Sequence, residues 1–193
     1  DAVFLNLSPP DEHGYCSFGI SVDYSKPAAM EAELVIAQIN PSMPRTLGDS
    51  FIHISDIDYI VEADTPLIEL PPAGISEVER AIGKNCASLI EDGDTLQLGI
   101  GAIPDAVLGF LKEKKDLGIH SEMISDGIVE LYEGGVITNR RKSLHAGKSI
   151  VTFLMGTRKL YDFADNNPAV ELHPVDYVND PYVIAQNERQ VSV

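Results

Sequence analysis

Short apolar stretches alternate with longer amphipathic ones through the second half of this chain of 193 residues. Residues 95–98, residues 117–120 and the run SIVTFLM have the composition of strands, whereas residues 104–114 and 126–132 have the character of helices. Strands that alternate with helices at these lengths favour a parallel sheet with crossover helices. The sequence therefore predicts an α/β fold whose sheets are largely parallel.

The first 70 residues have the same α/β character. Residues 2–7 have a strand-like pattern, and LVIAQI at residues 34–39 is a continuous apolar run, typical of a strand that is covered on both faces. Two prolines and a glycine in NPSMPRTLGD, residues 40–49, predict a loop. The other predicted elements are a short helix at 26–33 and extended pieces at 17–24 and 50–62.

A proline-rich segment, DTPLIELPPAG at residues 64–74, divides the chain. Such composition is typical of a linker, and Ser76 with Glu79 directly after it forms a capping-box pattern for a helix that we expect to end at Gly93. We therefore expect two open α/β domains, at residues 1–70 and 75–193. Because the chain starts on DAVFLNL without a methionine and stops on the strand-like NERQVSV, we also expect an internal portion of a longer protein.

The charge of the chain restricts the classes of partner. Thirty acidic residues against 14 basic ones give a formal net charge of -16, so the basic surface that nucleic acids require is not expected. The two cysteines, Cys16 and Cys86, have neither disulfide-framework nor zinc-site spacing, which favours a cytoplasmic protein without a metal. No apolar stretch reaches the length of a membrane span, so we expect small-molecule partners and no membrane.

The stretch LQLGIGAIPDAVLGFL, residues 96–111, begins as a strand and continues as a helix. Between them, Gly99 and Gly101 permit backbone angles that other residues avoid, and Pro104 suits the first turn of a helix. Two interpretations remain open: a turn that serves the fold alone, or a loop that lets a ligand approach the backbone at a helix N-terminus. The pattern matches neither the dinucleotide-binding nor the phosphate-binding motif.

A second candidate follows the next strand, in LGIHSEMISDG. Glu122 is expected to project from the carboxyl edge of the sheet, beside the glycine loop, either as a nucleophile, base or ligand or as a solvated charge. His120 is a metal or base candidate, although a hydrogen-bonded packing role is the better interpretation. Ser125 and Asp126 are expected to form the N-cap region of the following helix.

One basic cluster stands out in this acidic chain. It lies in TNRRKSLHAGK and comprises Arg140, Arg141, Lys142 and Lys148. These side chains could contact phosphates, but a solvated surface is the better interpretation.

Several long segments together carry a resemblance to a known family. They are GIGAIPDAVL, GIHSEMISDG, SPPDEHGYCSFGISVDYS, INPSMPRTLGDSFIHISDIDYIVE and YVNDPYVIAQNE. In their order along the chain they closely resemble the acetyl-CoA hydrolase/transferase family, within the class I CoA-transferases, over essentially the whole chain. The resemblance implies two α/β domains with the active site between them and a homodimer or larger homo-oligomer. It also implies that part of the coenzyme A (CoA) site lies in segments outside these residues.

The resemblance also implies roles for single residues. Glu122 corresponds to the family's nucleophile, and Gly99, Ile100, Gly101, Ala102 and Ile103 correspond to its CoA-binding loop. The implied reaction moves CoA between an acyl-CoA and 4-hydroxybutyrate, butyrate or acetate through a glutamyl-CoA thioester, with no metal. Two alternatives remain: an acyl-CoA hydrolase of the same family, and a non-catalytic module that binds CoA or a nucleotide.

Overall fold

A computed structural model gives the structure of the chain and describes residues 1–72 and 74–193. Ala73, in the predicted linker, lies outside the described residues. The strands are β1 (Ala2–Leu7), β2 (Tyr15–Ser17), β3 (Leu34–Ile39), β4 (Leu47–Gly48), β5 (Phe51–His53), β6 (Tyr59–Glu62), β7 (Thr95–Gln97), β8 (Gly118–Ile119), β9 (Met123–Ile124), β10 (Ser149–Val151), β11 (Phe153–Leu154), β12 (Val170–Leu172) and β13 (Gln190–Ser192). The helices are α1 (Ser25–Glu31), α2 (Glu77–Ala87), α3 (Ala102–Gly109), α4 (Gly127–Glu133), α5 (Arg158–Ala164), α6 (Val175–Val178) and α7 (Pro181–Ile184), with a 3-10 turn at Ile54–Asp56.

The strands form small sheets in which parallel pairing dominates. Their orders are β1-β3-β6, β13-β7-β8, β10-β12-β4, β11-β9 and β2-β5. Among the described strands, only β2 and β5 pair antiparallel. The prediction of an α/β fold with largely parallel sheets is therefore confirmed.

Strand β3 shows how the apolar run LVIAQI is used. Val35, Ala37 and Ile39 are buried in the core, whereas the alternate residues are only half-buried. Because successive side chains of a strand point to opposite faces, one face of β3 is fully covered and the other partly covered. The predicted bounds of both β1 and β3 agree with the structure.

Two stretches of the first 70 residues differ from the prediction. The extended piece expected at 17–24 ends with β2 at Ser17, because Gly19 and Asp23 adopt positive φ angles of 64° and 31° and break the strand. The loop expected at 40–49 contains β4, which pairs with β12. Since β12 lies beyond residue 75, this sheet contains strands from both predicted domains. The division into 1–70 and 75–193 stays a prediction.

Helix α2 begins as its sequence predicts. The Ser76 hydroxyl accepts a hydrogen bond from the Glu79 N–H, and the Glu79 carboxylate accepts one from the Ser76 N–H, so the capping box is complete. The helix ends at Ala87, earlier than Gly93, in a turn closed by the Ser88 hydroxyl on the Asn85 carbonyl. Helices α2 and α3 approach closely at Gly83, where a Cβ would lie 2.8 Å from that of Ala106.

Neither cysteine is in a disulfide. Cys16 is buried, and burial raises the pKa of its thiol to about 11, so it packs as a small apolar side chain. In residues 1–72 and 74–193, no helix combines the length and apolar character that crossing a membrane requires. The described His, Cys, Asp and Glu side chains do not group in threes that could hold a metal ion.

The pairing of β4 with β12 predicts a difference between two glycine substitutions. Gly48 has φ +97°, and a Cβ there would lie 2.7 Å from the Leu172 carbonyl oxygen, whereas Gly147 has φ +84° and open space around it. Both changes to Ala introduce similar backbone strain, so Gly48→Ala should lower the free energy of unfolding by about 1–3 kcal/mol more than Gly147→Ala. Chemical denaturation of the full-length protein measures both values. Equal losses would show that β4 does not pack closely against β12.

Candidate active site

The glycine loop lies between β7 and α3. Gly101 is the N-cap residue of α3, with φ 129° and ψ -177°, a conformation that essentially only glycine adopts. Helix α3 therefore begins at Ala102, two residues before the predicted start at Pro104. Pro104 is tolerated inside the first turn because the first four N–H groups of a helix have no intrahelical partner. Ala102 and Ile103 form the first two residues of the helix.

The structure requires glycine at positions 99 and 101 for different reasons. A Cβ on Gly99 would lie 3.1 Å from the Val193 carbonyl oxygen, which also accepts the Gly99 N–H at 2.8 Å. Gly99 therefore serves close packing of the backbone. A Cβ on Gly101 would meet no atom within 4 Å among the described residues, and the neighbouring Ile100 is 63% exposed. The loop is thus a packed turn on one side and open to solvent on the other.

A small cavity of about 130 Å³ lies against the glycine loop. Its lining is mostly apolar, with two carboxylates: Leu70, Pro71, Pro72, Gly99, Ile100, Gly101, Asp105, Met123, Ser125, Asp126 and Met155. Typical small-molecule pockets have volumes of about 300–1,000 Å³. The cavity is therefore too small to enclose a nucleotide, and its carboxylates disfavour phosphate, but a narrow neutral chain would fit.

The Ser121 side chain connects the loop to the next strand. Its buried hydroxyl accepts a hydrogen bond from the Leu98 N–H at 2.9 Å and donates one to the Leu98 carbonyl at 3.1 Å. These two bonds continue the β7–β8 pairing beyond the short β8. As a result, the residues that follow Leu98 and Ser121 leave the sheet side by side.

Glu122 leaves the sheet next to the glycine loop, but its side chain does not line the cavity. Its carboxylate oxygen Oε2 accepts a hydrogen bond from the Asn179 amide Nδ2 at 3.1 Å. Its backbone carbonyl accepts the N–H groups of Thr152 and Phe153. Because neighbouring residues of an extended chain point to opposite faces, Met123 faces the cavity while Glu122 faces Asn179.

A second carboxylate, Asp23, comes from the first part of the chain. Burial raises the pKa of Asp23, and the negative charge of Glu122 raises it further. Its carboxylate also accepts a hydrogen bond from the Thr152 hydroxyl at 3.4 Å. The charges of Asp23 and Glu122 therefore interact, although the two residues belong to different predicted domains.

His120 has the hydrogen-bonded packing role that the sequence favours. The ring is 1% exposed, and its Nε2 lies 2.9 Å from the Val178 carbonyl oxygen. A carbonyl oxygen only accepts, so Nε2 carries the proton. Burial lowers the pKa of the imidazole, which keeps the ring neutral.

Asp126 occupies the predicted N-cap position of α4, but its carboxylate serves another helix. Its Oδ1 accepts the N–H of Thr157, the N-cap residue of α5, at 3.0 Å. The Ser125 hydroxyl donates to the Asp105 carboxylate at 2.9 Å. Both residues therefore hold the walls of the cavity rather than cap α4.

The basic cluster is not a solvated surface as a whole. Lys142 is buried, and its Nζ donates to the carbonyls of Ile119 at 2.7 Å and Lys148 at 2.6 Å. Burial lowers the pKa of this ammonium to about 7, against an opposing effect of the Glu171 charge. Lys148 pairs with Glu171, and Arg141 donates to the Asp92 carbonyl. These three side chains are structural, and no phosphate role is needed to explain them.

Two residues of the site carry no signal in the local sequence. Asn179 lies 57 residues after Glu122, and Asp23 lies 129 residues before its partner Thr152. Both occur in segments that carry the family resemblance, SVDYS and YVNDP, but nothing in those segments assigns them to Glu122. Only the folded chain brings them together.

Models of one protein family match both ends of the chain. The acetyl-CoA hydrolase/transferase N-terminal domain matches residues 1–70, and the C-terminal domain of the same family matches residues 156–193. The chain is 68% identical over 193 residues to 4-hydroxybutyrate coenzyme A transferase from Clostridium kluyveri. It is 49% identical over 193 residues to succinyl-CoA:cyclohexane-1-carboxylate CoA transferase from Geobacter metallireducens.

Solved structures agree with these matches. A crystal structure of 4-hydroxybutyrate CoA-transferase from Porphyromonas gingivalis is 50% identical, with a TM-score of 0.96. RipA from Yersinia pestis is 45% identical, with a TM-score of 0.96. All four comparisons cover 100% of this chain but 45%, 44%, 49% and 45% of the respective partners. The chain therefore spans about half the length of the relatives it matches.

The conformation of Gly101 predicts the effect of two substitutions at the ends of α3. Gly101→Ala forces a side chain into a backbone region reserved for glycine and should lower the free energy of unfolding by about 1–3 kcal/mol. Gly109→Ala, at the exposed other end of α3 without a positive φ, should change it by less than about 1 kcal/mol. Thermal unfolding and amide hydrogen exchange of α3 in the full-length protein measure both effects. A Gly101→Ala protein as stable as Gly109→Ala would contradict the loop conformation.

Proposed function

Because this chain belongs to the acetyl-CoA hydrolase/transferase family, we propose that the protein containing it is a CoA-transferase. It moves CoA between an acyl-CoA and a short-chain carboxylate, with Glu122 as the nucleophile. The observation that carries this proposal is the Glu122 carboxylate at the sheet edge, held by the Asn179 amide through Oε2 alone among the described residues. Such an arrangement leaves the other oxygen, Oε1, available to react.

The reaction proceeds by exchange of one thioester for another. Oε1 of Glu122 attacks the thioester carbonyl carbon, the carbon–sulfur bond breaks, and a glutamyl–acyl anhydride and CoA thiolate form. The thiolate then attacks Cδ of Glu122, which releases the first carboxylate and leaves a glutamyl-CoA thioester. An incoming carboxylate reverses these steps and departs as the new acyl-CoA. No external energy source is needed because each thioester replaces another.

The Asn179 amide suits the transition states of this sequence. When Oε1 becomes part of the anhydride, Oε2 becomes the carbonyl oxygen of the glutamyl group. Attack of the thiolate on Cδ then places negative charge on Oε2, the atom that accepts the Asn179 N–H at 3.1 Å. Donors that are positioned where charge develops stabilise the transition state without reorganisation.

The glycine loop suits the CoA substrate. We assign Gly99, Ile100, Gly101, Ala102 and Ile103 to contacts with the CoA arm. The cavity beside them is narrow, mostly apolar and lined by the carboxylates of Asp105 and Asp126. These features favour the neutral pantetheine arm, whose amide N–H groups can donate to a carboxylate, over the anionic pyrophosphate.

The proposal also covers the acceptor carboxylate, the cellular compartment and the oligomeric state. The relatives are named for 4-hydroxybutyrate, cyclohexane-1-carboxylate and other carboxylates, and we propose 4-hydroxybutyrate, butyrate or acetate for this protein. We also propose a cytoplasmic homodimer or larger homo-oligomer that works without a metal. The family resemblance supports the assembly, and the two free cysteines support a reducing compartment.

Covalent labelling tests the nucleophile. After incubation of the full-length protein with acyl-CoA, peptide mass spectrometry should find a CoA-sized adduct on the peptide that contains Glu122. Borohydride should reduce the glutamyl thioester at the same position. Glu122→Gln should abolish both signals, whereas the exposed Glu113→Gln should retain them. An adduct on another residue, or none, would refute the assignment of Glu122.

Acceptor dependence separates the transferase from the hydrolase of the same family. With acyl-CoA alone, the full-length protein should release one equivalent of the carboxylate and almost no free CoA, because the CoA stays on Glu122 as the thioester. Addition of acetate should then produce acetyl-CoA over many turnovers. Chromatography of the carboxylate and of the CoA species measures these products. Continuous thiol release without acetate would support the hydrolase instead.

A further inference from the structure

The segment that delivers Asn179 to the site is short. Helix α6 comprises only Val175–Val178, and Asn179 is its C-cap residue. A single helical turn is not stable by itself, so contacts with the rest of the protein must fix its position. Those contacts therefore decide where the Asn179 amide lies relative to Glu122.

One of these contacts comes from His120, directly beside the end of the helix. Its Nε2–H donates to the carbonyl of Val178, the residue before Asn179, at 2.9 Å. His120 and Glu122 are two residues apart on the same extended segment, and both contact the end of α6. The hydrogen bonds of His120 with Val178 and of Asn179 with Glu122 therefore join the end of α6 to the extended segment that contains His120 and Glu122.

Packing alone does not explain a histidine at this position. The other ring nitrogen, Nδ1, is buried and meets no hydrogen-bond partner in the described part of the chain. A buried polar atom without a partner costs free energy, which an apolar side chain would avoid. The single hydrogen bond from Nε2 is therefore the reason for a histidine at this position.

The surroundings favour the neutral form of the His120 ring. Burial lowers the pKa of His120; the hydrogen bond to Val178 opposes this effect, and Lys142, His145 and His173, when protonated, add to it. Elsewhere on α6, the Tyr177 hydroxyl lies 2.6 Å from Nε2 of His145. His120 thus stays neutral, with its one proton on Nε2.

We propose that His120 is a positioning residue for the reaction: by holding the Val178 carbonyl, it fixes the Asn179 amide on the Glu122 carboxylate. This inference rests on the proposed function, because it assigns His120 a role in the transition states at Glu122. It predicts that His120 acts through Asn179 and not on the substrate.

Substitutions in the full-length protein test this role. His120→Asn is too short to reach Val178, and His120→Leu has no donor, so either should lower kcat roughly 10- to 100-fold. The KM for acyl-CoA should stay within about twofold, because binding is not affected. His120→Gln places an amide N–H near the position of Nε2 and should retain kcat within about threefold. The exposed His13→Asn is the matched control and should behave as wild type.

A double-mutant cycle with Asn179→Ala decides how His120 acts. The variants His120→Asn and His120→Leu are donor-lacking in the sense that neither places a donor at Val178. If His120 works through Asn179, either of them should reduce kcat by no more than about twofold in the Asn179→Ala background. Either donor-lacking variant that melts at the wild-type temperature is sufficient for the comparison. Effects that multiply, or a His120→Gln protein as slow as the donor-lacking ones, would overturn the proposal.

The wild-type protein distinguishes failure of the proposed function from failure of the role proposed for His120. If wild type shows neither acceptor-dependent transfer nor an adduct on Glu122, the proposed function itself fails. If wild type shows both but the cycle is additive, the proposed function stands and only the role of His120 is refuted.

Discussion

The Ser121 hydroxyl bonds on which the site depends join the ends of two very short strands. Strands β7 and β8 contain three and two residues, so their own ladder ends before the proposed functional residues begin. By bonding both backbone groups of Leu98, Ser121 replaces the missing ladder and keeps the following segments adjacent. A buried polar group that is satisfied in this way resists displacement, since leaving the Leu98 groups unpaired would cost free energy. The segments of the glycine loop and of Glu122 therefore both start from one rigid point, the bonded pair Leu98 and Ser121.

Beyond Leu98 and Ser121, the glycine loop and the segment of Glu122 face different surroundings. The loop and Met123 border a narrow, mostly apolar cavity, whereas the Glu122 carboxylate meets an amide from the end of α6 and lies near Asp23. A substrate with a long arm and a reactive end would use both: the arm beside the loop and the reactive carbonyl at Glu122. This separation fits an enzyme that gains orientation from binding far from the reacting atoms.

Local patterns in the sequence predicted what depends on local physics. The bounds of β1 and β3 and the capping box at Ser76 were predictable because alternation and capping act over a few residues. The start of α3 was misplaced because Pro104 marks a first turn without stating which of its positions it occupies. Strand β4 was missed because two residues form a strand only when a distant partner pairs with them. Asn179 was missed for the same reason, since Glu122 lies 57 residues away. The burial of Lys142 was not predicted because it depends on packing against Ile119, 23 residues earlier. The family resemblance, and not the spacing, gave Glu122 its role, which stays a prediction.

The pairing of β4 with β12 also affects how the protein is made. Next to this pairing, the Arg45 N–H donates to the Asp165 carboxylate, 120 residues further along the chain. At ordinary rates of synthesis, of about 5–20 residues per second, the partner of β4 leaves the ribosome roughly 6–24 s later. During this interval the edge of β4 has no native neighbour, and contacts between such distant segments form slowly in any case. Nascent chains are therefore exposed to misassembly at β4 in this interval, and a chaperone that shields residues 1–70 would help at that stage.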